Sequence, residues 1–463
     1  MDLEKSYLSS ASSQSLGRIC TMGANFLVFV IAARLLGAEL FGQYSYITIF
    51  LSLAILIAEF GTTGVLGADI ARVGGKEALY WGNFLILRFV FVLITTVVAI
   101  PVAWLVRPDL FACLLVGILG LIFLGSRFFD PIFQVYEHPW YSFQASLLYG
   151  VVFALSTSIA LFLHRSLFEL IILYVAANIV YSVFAVWRSL PLIRPDFSFC
   201  HSIQREILSL AIPVGVSGIF TLIHTRADIF MLAAMKGDYA VGIYNGAYRF
   251  LDMAVISAVM LSNPLVPIYS RLAVTNRASL QRRYSRILGL LTCIVIPIAL
   301  LVPLISTQFT AIVFGPEYRE VGPLLNIMSW IGVLSFYSLF NFVILLAIKV
   351  VKFQVWLGGL TAVLNVVLNY FFIPQYSFYG SAVATLLVEC IFVGVSFFYI
   401  IKSIGNVFPC LLWCRIGCAC LFILVTIILT DGLPYWLQLL LVVMSWPGAL
   451  LLCRLPLREM AGK

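Results

Sequence analysis

The sequence predicts an all-α polytopic membrane protein of about fourteen transmembrane helices. Three observations carry that expectation. Hydrophobic residues make up 62% of the 463-residue chain and charged residues only 10%. The mean hydropathy is +1.07. The apolar residues fall in long continuous runs and lack the period-2 alternation of a barrel strand. A soluble domain averages about 25% charged residues, so the charges here are too few to cover a water-facing surface. This composition excludes a soluble enzyme, a disordered chain and a nucleic-acid binder. The net charge of +8 then reports topology.

A helix needs about 20 apolar residues to cross the bilayer core. Such runs fall at roughly 18–36, 44–68, 79–106, 109–133, 141–163 and 167–187. Six more follow at roughly 207–234, 241–270, 287–314, 322–348, 353–373 and 379–401, then two at 409–430 and 434–453. Residues 1–17 are polar and Ser-rich, and no small-residue cleavage site follows a short apolar run. The first helix is therefore expected to be an uncleaved start-transfer segment. The longest polar stretches, 188–206 and 271–286, are both basic; contact with anionic membrane lipids is a second expected role for them. With the N-terminus inside, 20 of the 28 Lys and Arg lie on inner segments, including Lys5, Arg18, Arg72, Lys76, Arg127, Arg188, Arg194, Arg454, Arg458 and Lys463. The outer turns hold only Arg34, Arg107, Arg165, Lys236 and Arg319. That bias predicts a multi-pass protein of the inner (plasma) membrane with both termini cytoplasmic.

Two turns repeat each other. The turn after the first span reads Gly37-Ala38-Glu39-Leu40-Phe41-Gly42-Gln43-Tyr44, and the turn after the seventh reads Gly237-Asp238-Tyr239-Ala240-Val241-Gly242-Ile243-Tyr244. Gly37/Gly237, Gly42/Gly242 and Tyr44/Tyr244 share one offset. Six spans separate them, so both copies enter the membrane in the same direction. The expectation is two six-helix lobes in parallel repeat plus two C-terminal helices. The predicted limits are 1–187 for the N-terminal lobe, 188–206 for a cytoplasmic linker, 207–402 for the C-terminal lobe, and 403–463 for the last two helices and a cytoplasmic tail. A further echo pairs Arg127-Phe128-Phe129-Asp130 with Arg249-Phe250-Leu251-Asp252, on non-equivalent spans.

Ionisable groups inside spans cost roughly 2.5–3.5 kcal/mol each on insertion scales, so each needs a reason. They are Glu59, Arg88, Arg226, Asp228, Arg249, Asp252 and Glu389. At a rise of ~1.5 Å per residue, Glu389 lies near mid-bilayer. Arg249 and Asp252 stand one turn apart and can neutralise each other. Arg226 and Asp228 are two apart and need other partners. Arg88 could snorkel inward, and Arg34 ends the first span as an interfacial anchor. Pro213, Pro264, Pro267, Pro297 and Pro303 interrupt spans, as hinges or as static kinks. Cys410, Cys414 and Cys418 form a stripe with no His nearby and read as small apolar residues. No metal site and no cofactor is expected.

Several motifs together resemble a known family. They are Ala33-Arg34-Leu35-Leu36-Gly37 with Phe41-Gly42-Gln43-Tyr44, then Val241-Gly242-Ile243-Tyr244-Asn245-Gly246-Ala247-Tyr248-Arg249. Phe314-Gly315-Pro316-Glu317-Tyr318 with Pro323-Leu324-Leu325 follows, then Asn365 to Asn369, Ile373-Pro374 and Tyr379-Gly380-Ser381-Ala382. In order and spacing, over residues 15 to 400 or so, the chain resembles the Wzx-type oligosaccharide flippases. These form the polysaccharide-transport family of the multidrug/oligosaccharidyl-lipid/polysaccharide flippase superfamily. The turn Tyr376-Ser377-Phe378-Tyr379-Gly380 departs from the shorter Tyr-Gly turn common in that family.

The resemblance implies a non-enzymatic flippase of alternating access. Its implied cargo is a polyprenyl-pyrophosphate-linked oligosaccharide: an O-antigen, lipopolysaccharide, capsule or exopolysaccharide repeat unit. It places Arg34 on a cavity-lining helix. Such a cargo needs cations, and arginine donates forked hydrogen bonds to phosphate while staying charged. Arg34, Arg88, Arg226 and Arg249 are the expected substrate-binding cations. Asp228, Glu389, Asp252 and Glu59 are the candidates for coupling to protons or sodium; a buried neutral carboxyl is the structural alternative. Expected partners are the lipid-linked oligosaccharide, membrane lipids and the polysaccharide polymerase machinery, with no nucleic acid. No G-x-x-x-x-G-K-[ST] string is present, and no outer turn is large enough for a polymerase or ligase site. A small-molecule or drug antiporter of the same superfamily and a lipid II flippase are the alternatives.

Overall fold

The computed structural model describes residues 2–452 apart from 71, 73, 165, 409, 431, 433 and 434. The predicted tail, with Arg454, Arg458 and Lys463, and the outer-turn Arg165 lie outside the described residues. Among the described residues every regular element is helical. The helices are α1 (Asp2–Glu59), α2 (Thr62–Ile70), α3 (Glu77–Val106), α4 (Phe111–Leu119), α5 (Leu121–Leu124), α6 (Phe129–Val135), α7 (Trp140–Leu163) and α8 (Leu167–Ser189). They continue as α9 (His201–Lys236), α10 (Asp238–Ser262), α11 (Leu265–Thr275), α12 (Arg277–Phe314), α13 (Val321–Ala347), α14 (Val351–Ile404), α15 (Cys410–Leu429) and α16 (Tyr435–Leu452).

Among the described residues, 8 helices are long and apolar enough to cross a membrane, or up to 10 if each bent pair is one span. The bent pairs, Pro108–Leu119 with Leu121–Val135 at 56° and Asp238–Ser262 with Leu265–Thr275 at 46°, fall on the predicted fourth and eighth spans. Pro264 stands at the second break, where its ring denies the helix a hydrogen bond. A shorter apolar helix, Trp413–Leu429, lies on the thirteenth. Two helices, α1 and α14, are long enough for two crossings. α14 has 54 residues, about 80 Å of helix against a core of ~30 Å. It breaks at Ser377 (φ 51, ψ −133), and α1 breaks at Gly37 (φ 78, ψ 172). Both breaks fall between two predicted spans.

The matched turns share a backbone conformation as well as residues. Gly237 has φ 81 and ψ −176, close to the φ 78 and ψ 172 of Gly37 when ψ is read around 180°. That region is essentially closed to residues with a Cβ. It turns the chain sharply between two helices without a loop.

The chain forms two compact units, Met1–Arg226 and Ala227–Lys463. In the first, Trp81 stacks on Phe84 at 5.4 Å and meets Phe129 edge-on at 5.6 Å. With Phe128, Tyr149 and Phe153 these rings join α3, α6 and α7 into one core, which Tyr181 of α8 completes. Residues 190–200 are strapped to the start of α3. The Asp196 amide donates to the Ala78 carbonyl at 2.9 Å, Asn83 Nδ2 donates to the Ser198 carbonyl at 2.9 Å, and the Cys200 amide donates to Asn83 Oδ1 at 2.9 Å. Gly82 permits this approach, because a Cβ there would lie 1.8 Å from the Asp196 carbonyl oxygen. The first half of α9 follows onto the α1–α2 turn, where Gly61 and Gly215 admit backbone contact. In the second unit, Tyr269, Tyr284, Ile344 and Ile400 centre the core, and Cys293 on α12 packs with Ile416 and Ala419 of α15.

Candidate functional site

The first unit brings Arg88 and Glu59 together. Arg88 is 5% exposed, and its Nη2 lies 3.2 Å from Glu59 Oε1. Nη1 donates to the Ala58 carbonyl at 3.2 Å and Nη2 to the Gly125 carbonyl at 2.9 Å. The ring of Phe128 stands 5.3 Å from the guanidinium. The local cause is helix termination. α1 ends at Glu59 and α5 at Leu124, leaving carbonyls without intrahelical partners, and a guanidinium is the donor that can serve several at once. Gly125 makes room, since a Cβ there would lie 2.0 Å from Arg88 Nη2. The charge of Arg88 is therefore taken up inside the unit.

Two other predicted cations of this unit are more open. Arg34 is exposed, three residues before the Gly37 break, and Arg226 is half-buried at the unit's end on α9. Arg127, counted with the inner-face charges and inside the predicted fourth span, lies in the second half of the bent pair. Its guanidinium is exposed and sits 6.0 Å from the Tyr181 ring. The Tyr181 hydroxyl donates to Asp130 Oδ1 at 2.8 Å.

In the second unit Asp228 is 2% exposed. Its Oδ2 accepts from the Tyr244 hydroxyl at 2.6 Å, and its Oδ1 accepts from the Ile229 amide at 2.9 Å. The Gly237 turn folds α10 back along α9 and so delivers Tyr244, one of the repeat-matched residues, to Asp228. Arg249 and Asp252 are half-buried one turn apart on α10, and Glu389 is half-buried on α14. Also on α14, Asn369 Nδ2 donates to the carbonyl and the Oδ1 of Asn365, each at 2.9 Å, with both residues buried. Among the described residues no group of three His, Cys, Asp or Glu is placed to hold a metal.

Charge and apolar surface thus lie side by side. A cavity of about 720 Å³ in the first unit is walled by Trp81, Phe89, Phe129 and Val186, with Arg88, Ser126 and Ser182 at its polar points.

Comparison with known proteins places the chain in a family. A family described as polysaccharide biosynthesis protein matches residues 7–273, more than half of the chain. The chain is 23% identical over 299 residues to the teichuronic acid biosynthesis protein TuaB of Bacillus subtilis, covering 60% of this chain and 58% of that protein. It is 20% identical over 427 residues to an uncharacterized membrane protein in the cps region of Klebsiella pneumoniae, covering 88% of this chain and 84% of that protein. The chain thus spans less than two thirds of TuaB. Among solved structures, lipid II flippase MurJ in its inward closed conformation aligns with a TM-score of 0.73 at 14% identity, covering 96% of this chain and 99% of that one. At that identity the likeness is one of fold.

Proposed function

The chain belongs to the polysaccharide biosynthesis protein family, and on that premise we propose that it flips a polyprenyl-pyrophosphate-linked oligosaccharide from the cytoplasmic to the outer leaflet of the inner membrane. The observation that carries the proposal is the set of arginines that fall within or at the end of apolar spans: Arg88, Arg226 and Arg249, with Arg34 at the end of the first. A pyrophosphate head needs cations on its route, and a guanidinium offers two parallel donors to it. Arg34, Arg226 and Arg249 supply that field. Arg88 adds least, because Glu59 already neutralises it. The cargo's hydrocarbon tail stays in the bilayer while the head passes, and alternating access between the expected lobes, spans one to six and seven to twelve, moves it. A negative-inside potential assists outward transfer of the anion by roughly 2.3 kcal/mol per charge per 100 mV.

Asp228 is the strongest of the four carboxylates proposed for ion coupling, being buried with one short hydrogen bond to Tyr244. Glu389, Asp252 and Glu59 follow. Both termini are proposed to be cytoplasmic, and the polymerase that consumes the flipped unit is the proposed partner machinery. A lipid II flippase is the second reading, favoured by the fold shared with MurJ. The test is deletion of the gene, with lipid-linked intermediates extracted and located by leaflet. Oligosaccharide repeat units trapped on the cytoplasmic leaflet are expected. Trapped lipid II instead would favour the second reading, and normal surface polysaccharide with no trapped intermediate would overturn both.

A further inference from the structure

The fourth span carries an exposed cation, Arg127, that makes no ion pair and no hydrogen bond among the described residues. Residues 126–128 form a short 3-10 turn between α5 and α6, inside the bent pair that makes this span. Ser126, Phe128 and Phe129 are buried, whereas Arg127 is exposed. Asp130 and Gln134 continue its face at helical spacing, half-buried and exposed. The opposite flank, with Ile122, Ser126 and Phe129, lines the largely apolar cavity described above. A flank turned to lipid is apolar, as on α3, where Val97 is 63% and Leu105 78% exposed. A flank that presents Arg, Asp and Gln is a hydrated one. Glu59 pairs with Arg88 at 3.2 Å, and Asp130, one turn from Arg127, accepts from the neutral Tyr181 hydroxyl. Among the described residues the Arg127 guanidinium makes no ion pair and no hydrogen bond; the Tyr181 ring at 6.0 Å is its support.

We propose that Arg127 is the N-terminal unit's contact for the phosphate of the lipid-linked cargo, made at the cytoplasmic end of the route. The inner end of this span lies some six residues further on, roughly 9 Å at ~1.5 Å per residue, which suits capture from the inner leaflet. The cargo assignment rests on the flippase reading; the anion contact does not. Its chemistry, a guanidinium fork on a phosphate, is shared by prenyl pyrophosphates, free pyrophosphate and anionic phospholipids.

The test uses the full chain in neutral detergent micelles with geranylgeranyl pyrophosphate as probe. Geranylgeraniol, inorganic pyrophosphate and phosphatidylglycerol are the comparison arms. Arg127→Gln should weaken the prenyl pyrophosphate by about tenfold or more and leave geranylgeraniol unchanged. Arg127→Lys, which keeps the charge and loses the fork, should fall between; it also serves if the Gln variant fails to fold, since wild-type affinity in a folded Lys variant overturns the forked contact. Wild-type affinity in Arg127→Gln, no binding by the wild type, or a loss confined to inorganic pyrophosphate or phosphatidylglycerol would overturn the proposal. The leaflet assay separates the two readings. Trapped cargo that Arg127→Gln clears normally removes the role of Arg127 and leaves the flippase. No trapped cargo in the deletion, with the tenfold loss intact in micelles, removes the flippase and leaves the anion site.

Discussion

Glu59 and Arg88 are legible separately and illegible together. Each is an in-span charge that the sequence marks as costly, but 29 residues and a helix turn separate them, and hydropathy carries no pairing information. The pair's worth lies in what its removal exposes. Leaving one buried charge without its partner costs about 3–5 kcal/mol, whereas replacing both with apolar groups costs far less. Arg88→Met should therefore lower the unfolding midpoint in detergent steeply, and Glu59→Leu combined with Arg88→Met should recover part of the loss. A double variant as weak as the sum of the singles would show that the two residues are not coupled. Asp228 and Tyr244 form a second such unit. Tyr244→Phe removes a hydrogen bond to a charged group, about 1.5–3 kcal/mol. It should slow transport as well as destabilise, if Asp228 is the coupling carboxylate. An ion dependence of transport unchanged in both Tyr244→Phe and Asp228→Asn would exclude Asp228 from coupling. Arg127 escaped the sequence reading for a different reason. The predicted fourth span, 109–133, already contains Arg127, but its place near the inner limit put it among the inner-face charges, and run length does not tell an exposed arginine from a buried one.

At the scale of elements, the two glycine turns are the clearest case of sequence showing structure. Gly37 and Gly237 align by residue identity, and both take a backbone conformation that only glycine adopts readily. Gly237→Ala should cost about 1–3 kcal/mol through strain alone, since no heavy atom lies within 4 Å of the Cβ it would add. A melting temperature equal to that of the parent would contradict this. The strap over α3 was not legible, because Asn83 looks like any polar residue near a span end and its partners lie more than a hundred residues away. Asn83→Ala should free residues 190–200, read as faster proteolysis there. Asp196 adds a pH dependence to the same segment. Hydrogen bonds from the Ser198 hydroxyl (2.6 Å) and amide (2.9 Å) hold its carboxyl below the usual range. The depressed value means that its contribution is fully present above the ordinary Asp value of about 4 and is lost as pH falls through the lower, folded one. Proteolysis of the strap should rise on that acid limb in the parent, and Asp196→Asn should flatten the response.

For the whole molecule, composition settled the class, because few arrangements other than a helical bundle satisfy backbone polar groups in lipid over so many apolar runs. Run length located the spans, but it could not separate crossings that continue as one helix through a single odd residue, as at Gly37 and Ser377. The proposed anionic cargo rests on the pattern of charge in the sequence, basic on the expected inner segments with arginines inside apolar spans. The central claim is that this protein by itself moves a lipid-linked oligosaccharide between leaflets. The direct measurement is to reconstitute the purified chain in liposomes that carry a polyprenyl-pyrophosphate oligosaccharide in both leaflets, and to follow the fraction reached by an external sugar-modifying reagent. Wild-type protein should make the inner pool accessible with time, and Arg226→Ala and Arg249→Ala should each slow that conversion by about tenfold or more. An inner pool that stays protected, at the level of protein-free liposomes, would contradict the claim.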